Sequence, residues 1–286
     1  MALPSSKALT DIRTCPTFVI NLDRRKDRWQ EFSAQPTLKQ FTTLDRFSAV
    51  EGAKLDPFTD KRISIHTRQN IVKNYRRSHY EINTLGAIGA SLSHFTIWEN
   101  FLKTDANHIV VFEDDTLVRD QDLALIDNLI PSLPDEWDMW VLGTHKWMLQ
   151  GVPLSSDKTS WWKINQFTGA HAYVLSRRGA ELLLQEPYPI ETHVEFYICA
   201  CSLLKGLRII KHPLLRMTYS MESSTVNDSD TFESRLSCPV CYVPDNYPKV
   251  LYFFRKDGYM VRGVQLALLA ALGYGAYKMW KHKKLA

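Results

Sequence analysis

IVVFEDDTLV, residues 109–118, runs from four consecutive apolar residues straight into Glu113, Asp114 and Asp115. A short apolar run rich in β-branched residues is the pattern of a strand covered on both faces. Three adjacent carboxylates repel one another and cost solvation when buried. A strand that ends on them therefore needs a reason for doing so. In an open α/β sheet, ligands bind beyond the carboxyl ends of the strands, and this cluster sits where such a site would lie.

Working outward, the chain alternates strand and helix. Thr17 to Leu22 (TFVINL) reads as a strand, followed by a charged turn and a helix over Arg25 to Gln35. Thr43 to Ala49 forms a second short strand. Residues 51–84 are polar and charged, and read as a surface insertion with some helix and room for an acceptor site or a partner. Gly86 to Lys103 is the strongest helix, with Ile88, Leu92, Phe95, Trp98 and Leu102 spaced by three and four. Further strands fall at Ile109–Phe112, Met139–Leu142, Ala172–Leu175 and Leu207–Ile210. Further helices fall near Leu123–Ile130, Arg178–Leu184 and Val194–Leu204. Residues 144–163 read as irregular and tryptophan-rich. The alternation predicts an α/β sandwich with a mostly parallel central sheet.

Composition narrows the function classes. With 286 residues, 45% of them hydrophobic, the chain can bury a sizeable core. The formal charge of +4 is too small to argue for nucleic acid, and Lys278, Lys281, Lys283 and Lys284 account for all of it. Five cysteines with a single CxxC (Cys238, Cys241) make neither a disulfide framework nor a zinc site. The first 18 residues have no apolar run and do not read as a signal peptide. At the other end, Tyr259 to Trp280 gives 22 residues with a charge-free centre, close to the about 20 that span a bilayer. It reads as a membrane helix, with an amphipathic or core helix ending in a basic tail as the alternative; as a membrane helix it would leave the preceding domain in the cytosol. The expected layout is a tail (1–15), a main α/β domain (16–218), a linker (219–258), the transmembrane or membrane-associated helix (259–280) and a basic tail (281–286).

Carboxylate oxygens suit hard divalent cations such as Mn²⁺ or Mg²⁺. In an extended chain Glu113 and Asp115 point to one side and Asp114 to the other, where it would hold the turn. A metal there would remove the repulsion and neutralise a diphosphate leaving group. The turn after the first strand brings Asn21, Arg24, Arg25 and Arg28 as candidates for phosphate or base. The start of the Gly86 helix brings Ser91, Ser93 and His94, and a helix N-terminus attracts anions.

Four segments then resemble glycosyltransferase family 25, which includes lipooligosaccharide and collagen galactosyltransferases: FVINLDRRKDRW (18–29), LGAIGASLSHFTIW (85–98), VVFEDDTLV (110–118) and FTGAHAYVLSRRGAELLL (167–184). Their order and spacing match the family pattern over residues 16–215. The resemblance implies a GT-A, Rossmann-like fold using a UDP-sugar and Mn²⁺, with galactose or glucose as the hexose. It puts Glu113 and Asp115 in the places of the DxD acids, Asp115 on the metal and Glu113 on ribose or metal. It also implies Asn21, Arg24 and Arg28 near the nucleotide, with Ser91, Ser93 and His94 lining the donor pocket. Family transfer inverts at the anomeric carbon, so a base is needed for the acceptor hydroxyl of a glycan, lipid-glycan or protein. Glu191 and Glu195 are the candidates, with His193 third. Trp147, Trp161 and Trp162 are candidates for stacking an acceptor sugar. The chain departs from the family at Ala87 and Ala90, where glutamate and cysteine are usual. Two rivals follow: an inactive membrane-tethered relative that only binds, and another metal-phosphate enzyme such as a nucleotidyltransferase.

Overall fold

A computed structural model describes residues 9–75, 80–144, 150–156 and 160–220. The strands are β1 (Thr17–Asn21), β2 (Asp45–Ser48), β3 (His108–Glu113), β4 (Thr116–Leu117), β5 (Met139–Gly143), β6 (Gln150–Pro153), β7 (Trp162–Gln166), β8 (Ala172–Ser176), β9 (Ile209–Lys211) and β10 (Thr218–Tyr219). The helices are α1 (Lys26–Ser33), α2 (Ile65–Lys73), α3 (Leu85–Leu102), α4 (Asp120–Leu129), α5 (Arg177–Leu183) and α6 (Val194–Leu204). The α/β class expected from the alternation is therefore found.

Eight strands form one sheet in the order β2-β1-β3-β8-β5-β9-β7-β6. The opening stretch explains how it is covered. Ile109 and Val111 of β3 enter one core with α3, α5 and α6, while Val110 and Phe112 enter the other with α1 and α4. Successive side chains of a strand point to opposite faces, so an unbroken apolar run is what a two-sided sheet requires.

The sheet is mixed, and this amends the mostly parallel expectation. β1 is parallel to β2 and β3, and β5 to β9, but β8 runs antiparallel to both β3 and β5. β7 is likewise antiparallel to β6 and β9. Strands buried on both faces read alike in either direction, so the apolar pattern could not reveal it. β6 and the first two residues of β7 lie within the segment read as irregular. The signal of β7 is weak because Ile164 is its one fully buried residue.

The 51–84 segment is not a surface appendage. Ile63 and Ile82 are fully buried, and bridges join Ile63 to Ile190 and Glu81 to Thr192. Trp161 is a core residue, packed edge-on against Trp140 and donating to Ser132 Oγ at 3.2 Å. It is thus unavailable to a sugar. Trp162 packs half-buried against the core, and Trp147 lies outside the described residues. The expected membrane helix at 259–280 and the CxxC at 238–241 also lie outside them. Among the described residues no helix is long and apolar enough to cross a membrane.

Candidate active site

A cleft of about 330 Å³ opens at the carboxyl ends of β1 and β3. Three features of the fold build it. The acidic turn after β3 supplies Glu113, Asp114 and Asp115. The turn after β1 supplies Arg24 and Arg28. The first turns of α3 supply Thr84, Leu85, Gly86, Ala90, Ser93 and His94.

The acidic turn is pinned through its backbone. The Glu113 amide donates to His171 O at 2.8 Å, and the Asp114 amide to Ile20 O at 3.2 Å. Thr116 Oγ1 also donates to His171 O, at 2.6 Å. From the far end of the described chain, β10 pairs with β4 and the Ser220 amide donates to Asp115 O at 2.8 Å. Three distant sequence segments, around Ile20, His171 and Ser220, therefore hold three acids in place.

The strand ends at Glu113, and residues 114–115 form a turn. Strict alternation stops there, so the expectation that Asp114 faces away fails. Asp114 lines the cleft with its neighbours. It accepts from Asn21 Nδ2 at 2.6 Å and pairs with Arg28 at 3.0 Å. Arg28 also reaches Asp115 Oδ2 at 2.8 Å, so one buried guanidinium bridges two carboxylates. Burial raises both acids above the usual carboxylate range. Asp115 is pushed up to about 7, by desolvation first and by the Glu113 charge next, against the pull of Arg28. Its Oδ1 is buried with no hydrogen-bond partner among the described residues.

On the opposite wall, α3 comes close because two glycines let it. A Cβ on Gly52 would lie 2.1 Å from the Leu85 carbonyl oxygen, and one on Gly89 2.5 Å from that of Val50. Ser93 ties the same contact, accepting from the Val50 amide at 2.9 Å and donating to Gly89 O at 2.7 Å. The N-cap Thr84 accepts from the Ala87 amide at 3.3 Å. The positive end of an 18-residue helix dipole thus lies at the cleft.

Of the residues singled out from sequence, Arg24, Arg28, Ser93, His94, Glu113 and Asp115 meet in this cleft. Arg24 is paired with Glu51 at 3.1 Å on the rim. Asn21 supports the site through Asp114, and its Oδ1 takes Arg46 Nε at 2.7 Å. Ser91 is buried within α3, donates to Ala87 O and does not line the cleft. Neither Glu191 nor Glu195 lines it either. They lie on the stretch whose Thr192 bridges Glu81, two residues before the cleft residue Asn83. Ala90 lines the cleft and Ala87 is buried in the core. Sequence reasoning missed Glu51, Gly52, Ile71 and Asn83, because the 51–84 segment carries no strong periodicity.

Whether a metal fits can be judged from charge. The cleft's formal side-chain charges are four acids (Glu51, Glu113, Asp114, Asp115) and two arginines (Arg24, Arg28), or 2 − 4 = −2. An anionic diphosphate would be repelled from such a cleft without an added cation. Among the described residues no three His, Cys, Asp or Glu side chains form a cage that could hold a metal alone. Mg²⁺-like ions need none, since they bind through one or two carboxylates plus substrate phosphates. The unpartnered Asp115 Oδ1 and the net charge of −2 fit that mode.

A family model described as glycosyltransferase family 25 (LPS biosynthesis protein) matches residues 14–198. Among curated proteins, the chain is 29% identical over 180 residues to "Probable inactive glycosyltransferase 25 family member 3" of Bos taurus, covering 58% of this chain and 28% of that protein. It is 27% identical over 180 residues to human "Procollagen galactosyltransferase 2", covering 58% and 27%. The chain therefore spans just over a quarter of the length of those relatives. Among solved structures, the inositol-1-phosphate CTP transferase from T. maritima aligns at a TM-score of 0.40 and 10% identity, over 79% of this chain and 95% of that one.

Proposed function

The chain belongs to glycosyltransferase family 25, and on that premise we propose that it moves a hexose, galactose or glucose, from a UDP-sugar to an acceptor hydroxyl with inversion. The observation that carries this reading is the cleft itself: a net negative acidic turn, a buried arginine and a helix N-terminus around one space. Glu113 and Asp115 would hold Mn²⁺ or Mg²⁺. Such an ion supplies neutralisation of the departing diphosphate.

The chain's own groups do the rest. Arg28 holds Asp114 and Asp115 in place, and Asn21 fixes Asp114 from below. Arg24 can exchange Glu51 for phosphate, since half of its side chain is exposed. The α3 N-terminus offers dipole and amides to an anion. The aliphatic wall of Ile20, Leu22, Val50 and Ile71 keeps water from one side of the bound nucleotide. We further propose Glu191 or Glu195 as the base, reached through the 80–84 segment, and a glycan, lipid-glycan or protein as the acceptor. Tethering through residues 259–280, with the catalytic domain in the cytosol, is part of the same proposal.

A second reading, an inactive relative that binds without transfer, is favoured by the name of the bovine relative. UDP release from UDP-galactose and UDP-glucose, with and without Mn²⁺, separates the two. Transfer predicts Mn²⁺-dependent UDP release, and an about 100-fold fall in kcat for whichever of Glu191→Gln and Glu195→Gln removes the base. Binding without any release supports the inactive reading. Release of pyrophosphate would assign a nucleotidyl transfer instead.

A further inference from the structure

Behind Glu113 lies a buried chain of polar side chains that none of the chemistry above uses. His94 and Trp98 are four apart on α3 and so share one face. Tyr173 stands on β8 opposite Val111. Val111 is two residues before Glu113, so Tyr173 and Glu113 project to the α3 side of the sheet. Three distances connect them. Trp98 Nε1 lies 2.9 Å from Tyr173 Oη, Tyr173 Oη lies 2.9 Å from His94 Nδ1, and His94 Nε2 lies 3.5 Å from Glu113 Oε1.

The proton inventory makes this chain directional. Indole Nε1–H can only donate, so Trp98 occupies a lone pair of Tyr173 Oη. Tyr173 is fully buried, and its hydroxyl hydrogen also needs an acceptor. Burial keeps that phenol protonated. The acceptor in reach is His94 Nδ1. His94 Nδ1 then carries no hydrogen, and the ring's single N–H is on Nε2, facing the carboxylate.

We infer that Tyr173 is a positioning residue: anchored by Trp98, it fixes His94 as the Nε2–H tautomer and thereby orients Glu113 at the cleft. The arrangement places a donor, not a lone pair, against a carboxylate that must stay ionised to receive a cation. Outer contacts of this kind, here an approach of 3.5 Å, set the orientation and basicity of a ligand. The Glu113 half of the inference rests on the metal reading proposed above; the tautomer half does not.

The test uses the full chain labelled with ¹⁵N-histidine, with the His94 resonances assigned by their loss in His94→Gln. In wild type, His94 Nδ1 is expected to show the shift of an unprotonated ring nitrogen and Nε2 that of a protonated one. A protonated Nδ1 overturns the inference. Tyr173→Phe should move the Nδ1 resonance, and an unmoved one contradicts it as well. The second arm titrates Mn²⁺ in the presence of UDP and follows free Mn²⁺ by electron paramagnetic resonance. Gln can place an N–H near the position of Nε2, whereas Asn reaches only that of Nδ1. His94→Asn is therefore expected to weaken Mn²⁺ binding about tenfold, with His94→Gln close to wild type. Equal affinity in the two variants overturns the role toward Glu113. Should wild type hold no Mn²⁺ at all, the metal reading and the orienting role fall together, and the nitrogen shifts alone decide whether Tyr173 sets the tautomer.

Discussion

Asp115→Asn is expected to cut sugar transfer about a thousandfold while leaving the fold at least as stable as wild type. The activity loss follows from removing one of two carboxylates proposed to hold the divalent ion. Metal stabilisation of a leaving group is worth several kcal/mol, and about 4 kcal/mol corresponds to that factor. The stability expectation comes from the electrostatics of the turn. Desolvation, then Glu113, hold the Asp115 carboxyl up at about 7. A carboxylate raised above its unfolded value binds more protons in the folded state, so it makes stability fall as pH rises through about 4 to 7. Asn removes that liability, and its amide oxygen can still accept from Arg28. Donor turnover and thermal unfolding, measured side by side, check the pair. An active variant removes Asp115 from the metal site. An inactive but much less stable one makes its role structural.

The second large effect is on Arg28, whose side chain is 8% exposed and bridges Asp114 at 3.0 Å and Asp115 at 2.8 Å. Arg28→Ala leaves two buried carboxylates beside Glu113 without their counter-charge. Removing one partner of a buried pair costs about 3–5 kcal/mol. The same change in an Asp115→Asn background should cost at least about 1 kcal/mol less, because residues in contact couple by roughly that much. Urea unfolding of the four proteins measures the difference. Additive effects would mean that Arg28 stabilises the fold by packing its stem, and not by neutralising the acids. Lys at this position should not restore full stability, since a point charge cannot fork across two carboxylates as a planar guanidinium does.

Much of this site was legible in the chain, for reasons that differ by residue. The apolar run before Glu113 announced a strand with two covered faces, and alternation along it correctly carries Glu113 to the α3 side with Val111. Alternation then misled by one residue. Asp114 already belongs to the turn, and its partners, Asn21 and Arg28, come from another strand's exit. Pairing direction was not legible, because β8 is buried throughout and hydrophobicity has no arrow. Tyr173 sits in a family motif, yet its hydroxyl has meaning only once β8 is set beside β3. A buried tyrosine always needs partners for its polar end; which ones it finds is a matter of tertiary structure. The 51–84 segment looked polar on average, although Ile63 and Ile82 anchor it and Gly52 brings it against Leu85. Averages over thirty residues hide two or three that decide a packing.

The central claim is that the acidic turn of residues 113–115 is where a divalent ion meets the diphosphate of a nucleotide-sugar. The most direct measurement is an anomalous-scattering map from crystals of this chain grown with UDP and Mn²⁺. The account predicts a manganese peak in contact with a carboxylate oxygen of Asp115, with the UDP diphosphate on the same ion beside the α3 N-terminus. UDP bound with manganese touching neither Glu113 nor Asp115, or UDP bound outside the cleft, would contradict it.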